Sequence, residues 1–309
     1  MKKIIAVAVA GAFVAPVYAA DVTISGSVEY IYKDVGGTTT ATHDGFDPMF
    51  KIGATSQTDA GYTVSANIDV DTGSSNTLDN STISIAGDFG KLTLGAPGGG
   101  LDAAGDYTDV APEKGGFHLD GNDHFMLLQP NLGIAGMSVA LSVNPATTNS
   151  AGGAAGEGHG ASITYDAGGF TMYAGREKIK GNDANANDST ESTTAYGVKT
   201  TLGGLYIAAE KGTRKNSGVD VTEVSVTGLA AKYSMDKLTI GVEQQSSDQG
   251  YDHLSSDTDS DDMSTKAKFD ETTAFVSYNF GGGLSAYLEQ YDESVAGTEQ
   301  TTIGVKYSF

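Results

Sequence analysis

The sequence predicts an all-β fold, a transmembrane antiparallel β-barrel of about sixteen strands. Three observations carry that prediction. Apolar and polar residues alternate with period two from one end of the chain to the other. The segments joining these runs alternate between short turns and long polar loops. Beyond the first residues, no apolar stretch approaches the ~20 residues that a membrane-crossing helix needs.

The chain opens with Lys2-Lys3, followed by an apolar run from Ile4 to Val17 and then Tyr18-Ala19. A basic start, an apolar centre of about 14 residues and small residues at its end read as a cleavable secretory signal peptide. Residues 1–19 are therefore expected to be removed. The mature single domain, 20–309, then begins Ala20-Asp21-Val22.

The first strand pattern sets Val22, Ile24, Gly26, Val28, Tyr30 and Tyr32 against Thr23, Ser25, Ser27, Glu29, Ile31 and Lys33. Tyr62, Val64, Ala66, Ile68 and Val70 repeat it against Thr63, Ser65, Asn67, Asp69 and Asp71. The final run sets Thr301, Ile303, Val305, Tyr307 and Phe309 against Thr302, Gly304, Lys306 and Ser308. Such alternation gives a strand one apolar and one polar face. Short turns are expected at Thr58–Gly61, Ser84–Gly90, Pro130–Gly133, Asp166–Gly169, Thr201–Gly204, Ser234–Lys237 and Asn279–Gly283. Long loops are expected at Asp34–Asp47, Asp71–Asn80, Ala96–Gly121, Asn144–Gly158, Lys178–Glu191, Gly212–Asp220, Ser246–Lys268 and Asp292–Thr298. Short turns at one rim and long loops at the other fit a bacterial outer-membrane barrel, with both termini at the periplasmic rim. A soluble β-sandwich would also alternate, but it needs a second sheet over each apolar face, where a barrel uses lipid.

Charge and composition narrow the partners. The net charge is −21, which excludes nucleic acid, since phosphate binding depends on Lys and Arg. It favours cations instead. The exported chain has no cysteine and so gains no disulfide staples. Tyr30, Tyr32, Phe50, Tyr62, Phe89, Tyr165, Phe170, Tyr278, Phe280, Tyr307 and Phe309 fall at or near strand ends, where interfacial aromatic girdles belong.

The most informative stretch is Tyr107-Thr108-Asp109-Val110-Ala111-Pro112-Glu113-Lys114-Gly115-Gly116, within the third long loop at about 96–121. With Ser25-Gly26, Lys51-Ile52-Gly53 and Phe89-Gly90-Lys91-Leu92-Thr93-Leu94-Gly95, it resembles the Gram-negative general porins over nearly the whole mature chain. The resemblance implies a sixteen-stranded, trimeric outer-membrane channel whose third loop folds into the lumen. It implies that Asp109 and Glu113 narrow the pore, with Asp102 and Asp106 on the same loop. Of the basic wall positions of the family only Lys51 clearly persists; Ser27, Thr82, Ala96, Asp123 and His124 stand at the others. Lys33 and Lys91 could add charge. A net negative constriction and cation preference follow. The terminal Tyr307-Ser308-Phe309 matches the family's aromatic ending, and the resemblance implies that Phe309 is read as an assembly signal.

The expected function is passive diffusion of small hydrophilic solutes and ions. A substrate-specific channel is the alternative, and a non-conducting structural or adhesive barrel stands further off. No enzyme activity is expected: His43, His118, His124, His159 and His253 are candidate bases, but no Gly-x-Ser-x-Gly context accompanies them. No cofactor is called for. Asp257, Asp259, Asp261 and Asp262 start like a calcium loop but have Asp262 where Gly is required and Lys268 where Glu is required. That leaves a loosely held divalent cation such as calcium, cation bridging to lipopolysaccharide, or an ordinary solvated loop. Outer-membrane lipid and lipopolysaccharide are expected partners.

Overall fold

A computed structural model describes residues 21–35, 42–71, 77–113, 124–145, 147–148, 154–182, 190–217, 222–248, 269–294 and 298–309. Seventeen strands form one sheet that closes on itself. They are β1 (Asp21–Val35), β2 (Thr42–Gln57), β3 (Thr63–Asp71), β4 (Thr77–Gly87), β5 (Gly90–Gly95) and β6 (Met126–Pro130). There follow β7 (Met137–Asn144), β8 (Thr147–Thr148), β9 (Ala154–Asp166), β10 (Phe170–Asn182), β11 (Thr190–Leu202) and β12 (Leu205–Ser217). The last are β13 (Thr222–Met235), β14 (Leu238–Ser247), β15 (Phe269–Gly281), β16 (Leu284–Glu293) and β17 (Thr298–Ser308). The two-residue β8 continues β7 along β9, so the wall is a sixteen-stranded antiparallel barrel. Its only helical turn among the described residues is a 3-10 turn at Asp102–Ala104.

Closure is made by β1 against β17, from Ser27↔Ser308 to Val35↔Gln300. Phe309 extends this seam: its N–H donates to Gly26 O at 3.0 Å, and Gly26 N–H donates to Phe309 O at 3.1 Å. Closure leaves no open edge, which is the condition for a sheet in hydrocarbon.

The two faces have opposite chemistry. Val22, Ile24, Ile68, Ile83, Val198, Leu229, Ile240 and Ile303 point outward and are exposed. Every aromatic named above for the interfacial girdles is exposed as well. The buried set is instead rich in Glu, Ser, Thr and Gln, including Glu177, Glu210, Glu243, Glu289, Thr193 and Thr302. A polar inside and an apolar outside invert the soluble pattern and suit a lipid-embedded wall around water.

Seven short turns stand near where the sequence places them, although β4 runs on through Ser84–Gly87, which leaves only residues 88–89 for its turn, and the turn after β6 runs on to residue 136. The long loops are shorter than their polar composition suggests. Strands continue through Thr42–Asp47, Thr77–Asn80, Lys178–Asn182 and Gly212–Ser217, all read above as loop. The apolar alternation stops where the bilayer stops, but the backbone ladder does not need it and carries on into water. The expected leader at 1–19 with Ala20 after it, the acidic cluster at 257–262, Lys114–Asp123 and His253 lie outside the described residues.

Candidate constriction site

The third loop leaves the wall after β5, whose last residue, Gly95, has φ +116°, a conformation costly for any side chain but glycine. At the root, His124 N–H donates to Pro97 O at 2.8 Å, tying the returning limb to the outgoing one. Gly100 N–H donates to Ser142 Oγ at 2.6 Å, and Ser162 Oγ–H donates back to Gly100 O. Asp102 accepts the Gly99 N–H at 2.7 Å and so shapes the 3-10 turn besides carrying charge.

From there the loop lies along the inner wall. Leu101, Ala104 and Tyr107 are buried against Tyr173 of β10, Ala195 of β11, Ala208 of β12 and Val224, Val226 and Ala230 of β13. This explains apolar residues on lumen-facing positions of those strands: the loop, not water, covers them. The Tyr107 and Tyr173 rings meet edge to face at 4.8 Å, and Lys199 Nζ sits 3.9 Å from the centre of the Tyr107 ring. Burial first, and the Glu210 carboxylate second, push the Tyr107 phenol above its ordinary value of 10.0, so the ring packs as a neutral group.

Beyond Tyr107 the loop is fastened by wall glutamates on alternate strands. Glu210 of β12 accepts both Thr108 N–H and Thr108 Oγ1–H at 2.7 Å, and Tyr173 O–H at 2.6 Å. Glu243 of β14 accepts Val110 N–H and Ala111 N–H, each at 2.9 Å. Glu289 of β16 accepts Glu113 N–H at 3.1 Å. Because side chains recur on one face every second residue, and inward positions align across strands, this rail follows the barrel circumference. Hydrogen bonds to a carboxylate exceed neutral ones in strength, so these contacts hold the loop backbone firmly to the wall. Composition gave no warning of the rail; the only signal was a glutamate at an inward position of β12, β14 and β16.

The expected constriction residues divide into distinct environments. Asp102, Asp106 and Asp109 are exposed on the loop. Glu113 is not an isolated charge: Lys33 Nζ of β1 lies 2.8 Å from its Oε1, with both side chains 20% exposed. Lys51 of β2 faces the lumen but pairs with Asp69 of β3 at 3.1 Å. Lys306 of β17 pairs with Glu29 of β1 at 2.9 Å, and Tyr287 O–H donates to the other oxygen of Glu29 at 2.9 Å. His124 sits just before β6, fully buried beneath the loop root with Glu177 of β10 at 3.2 Å. It is thus no part of the open wall. Below the loop, towards the short turns, lies a cavity of ≈ 430 Å³ lined by Glu29, Pro112, Ser234, Ser277, Ser285 and Lys306. Among the described residues no cluster of His, Cys, Asp and Glu could hold a metal ion.

The family model for Gram-negative porins matches residues 6–308. The chain belongs to the Gram-negative porin family. This porin is similar to solved structures, at identities that bear on the fold alone. Salmonella typhi OmpF, in complex with daunomycin, is 15% identical with a TM-score of 0.74, covering 93% of this chain and 97% of that one. An anion-selective porin from Comamonas acidovorans is 14% identical with a TM-score of 0.72, covering 94% and 100%. In vitro folded Vibrio cholerae OmpT, in its trimer form, is 16% identical with a TM-score of 0.70, covering 94% and 100%. No curated protein sequence matches this porin. Family and fold are those of outer-membrane channel proteins.

Proposed function

We propose that this porin is a water-filled channel for passive diffusion of small hydrophilic solutes and ions, with a preference for cations. The observation that carries the preference is the placement of charge around the third loop. Asp106 and Asp109 are exposed carboxylates on the third loop, and Lys33, Lys51 and Lys306 of the wall are each matched by a carboxylate of their own. Fold does not decide the sign, since an anion-selective porin resembles this chain about as well as OmpF does. Side chains decide it. A constriction about as wide as the Debye length, roughly 8 Å at physiological salt, leaves exposed carboxylates incompletely screened. Low-dielectric walls focus that field and raise the local concentration of cations.

The test is a reversal potential across a planar bilayer under a salt gradient. A potential of the cation-permeable sign, growing as salt is diluted, is expected. An anion-permeable sign would overturn the charge argument, and folded protein that never conducts would overturn the channel reading. Trimeric assembly, as in OmpT, and removal of residues 1–19 on export complete the reading.

A further inference from the structure

Below the third loop, the cavity of ≈ 430 Å³ is lined by two rows of inward side chains. One row runs Ser234 of β13, Thr239 of β14, Ser277 of β15 and Tyr287 of β16, each directly opposite the next. The other lies one step nearer the short turns, with Asn279 of β15, Ser285 of β16, Lys306 of β17 and Glu29 of β1. Neighbouring strands stand about 4.8 Å apart, and residues on one face recur about every 6.8 Å along a strand. The rows therefore make a grid of polar groups, to which Pro112 of the loop adds one exposed apolar ring.

The charges of this cavity balance. Glu29 takes Lys306 Nζ on one oxygen and the Tyr287 O–H on the other, each at 2.9 Å. At the turn end the lining adds one acid and one base, Asp236 and Lys237. An ion of either sign thus gains little here, unlike at the loop, where the exposed Asp106 and Asp109 attract cations. Hydrogen-bonding capacity, by contrast, is left over. Ser277 and Ser285 are half-buried, and among the described residues their hydroxyls bond to no other protein group. Asn279 Oδ1 accepts Gly281 N–H at 2.8 Å, which leaves the amide NH₂ as a donor. The Lys306 side chain is 42% exposed, and its ammonium has donors beyond the one that Glu29 takes.

We propose that this cavity is a binding subsite for neutral saccharides of one or two rings, on the short-turn side of the constriction. Its volume falls within the roughly 300–1,000 Å³ of small-molecule sites. A sugar presents many hydroxyls, each both donor and acceptor, and no charge, which matches a grid of hydroxyl, amide and paired ionic groups. Its C–H face packs on the Pro112 ring. The proposal rests on the channel reading and deepens it: for this solute class passage through the lumen is saturable, whereas ions and other small solutes diffuse without binding.

The test uses full-length mature protein refolded in detergent, with sucrose as the probe and two readouts. Saturation-transfer NMR in detergent measures sucrose binding, and planar bilayers measure the drop in open-channel current as sucrose is added. Wild type should bind sucrose saturably, and its current should fall along the same curve. Polyethylene glycol of equal hydrodynamic size should lower the current only in proportion to its concentration. Each hydrogen bond contributes roughly two- to tenfold to binding, so S277A/S285A should bind sucrose at least about fivefold more weakly. Ser285→Leu, which fills the cavity rather than stripping it, should abolish saturation; heat-modifiable mobility checks that both variants fold. Sucrose binding that is unsaturable, or equal in wild type and both variants, would overturn the proposal. So would glycol matching sucrose in its effect. Tighter binding of gluconate than of sucrose would overturn the neutral class and assign Lys306 to anions. Absence of any wild-type current would refute the channel reading, while the NMR measurement would still decide the subsite.

Discussion

Glu113 shows how one residue joins pore charge to loop position. Its N–H is held by Glu289 and its carboxylate by Lys33, so neutralising it does more than remove a charge. Glu113→Gln should release Lys33 into the lumen and reduce cation preference more than Asp109→Asn does. Adding Lys33→Met to Glu113→Gln should restore most of the preference. Reversal potentials in dilute salt measure all three. An Asp109→Asn effect as large as that of Glu113→Gln would show that Lys33 stays masked. The pair itself is partly buried, so its loss should cost on the order of 1 kcal/mol of barrel stability. Inner-wall glycines act at the same scale. A Cβ at Gly197 would lie 2.5 Å from the Tyr173 ring, and one at Gly304 would run into the Tyr287 ring. Tyr287 therefore needs the bare backbone of β17 to reach Glu29. Gly304→Val should lower refolding yield, at an overpacking cost of about 1–3 kcal/mol, and Tyr287→Ala should relieve it in the double variant. Urea unfolding followed on a gel separates these outcomes.

At the scale of elements, the third loop is a covering layer fixed to strands that alternate around the wall. Removing one acceptor leaves its donors buried without a partner, at about 1–3 kcal/mol for each group. Glu210→Ala strands Thr108 N–H, its hydroxyl and the Tyr173 hydroxyl together. Glu243→Ala strands two amides. Both variants should close as barrels, since the strand ladders are untouched, but give noisy open channels and faster proteolysis within residues 101–113. Single-channel current variance should rise more for Glu210→Ala. Quiet channels from both would mean that apolar packing of Leu101 and Tyr107 alone holds the loop.

For the whole molecule, the seam between β1 and β17 is what turns a sheet into a barrel. Phe309 pairs its backbone with Gly26 there, and its ring lies 6.0 Å from that of Phe50 and 6.1 Å from that of Tyr307. Deleting Phe309 should reduce outer-membrane levels several-fold in cells while protein refolded in vitro still conducts. Equal surface levels would remove its role in assembly. Mass spectrometry of the mature protein should find Ala20 as the first residue, the expected product of cleavage after Ala19.

The sequence by itself determined the barrel, its strand number and its turns, because each rests on local terms. Period two specifies a two-faced strand, Gly and Asp mark tight turns, and lipid asks only that outward residues be apolar. It also singled out the stretch around Asp109 and Glu113. Only the tertiary structure decided what those residues meet. Lys33 is distant in sequence from Glu113, and Glu289 farther still; no periodicity predicts that closure brings them together. The same holds for Ala195 and Val226, whose inward positions look misplaced until the loop covers them. Alternation fixes which side a residue faces, whereas its charge partner and its exposure to water depend on what the folded chain lays against that side.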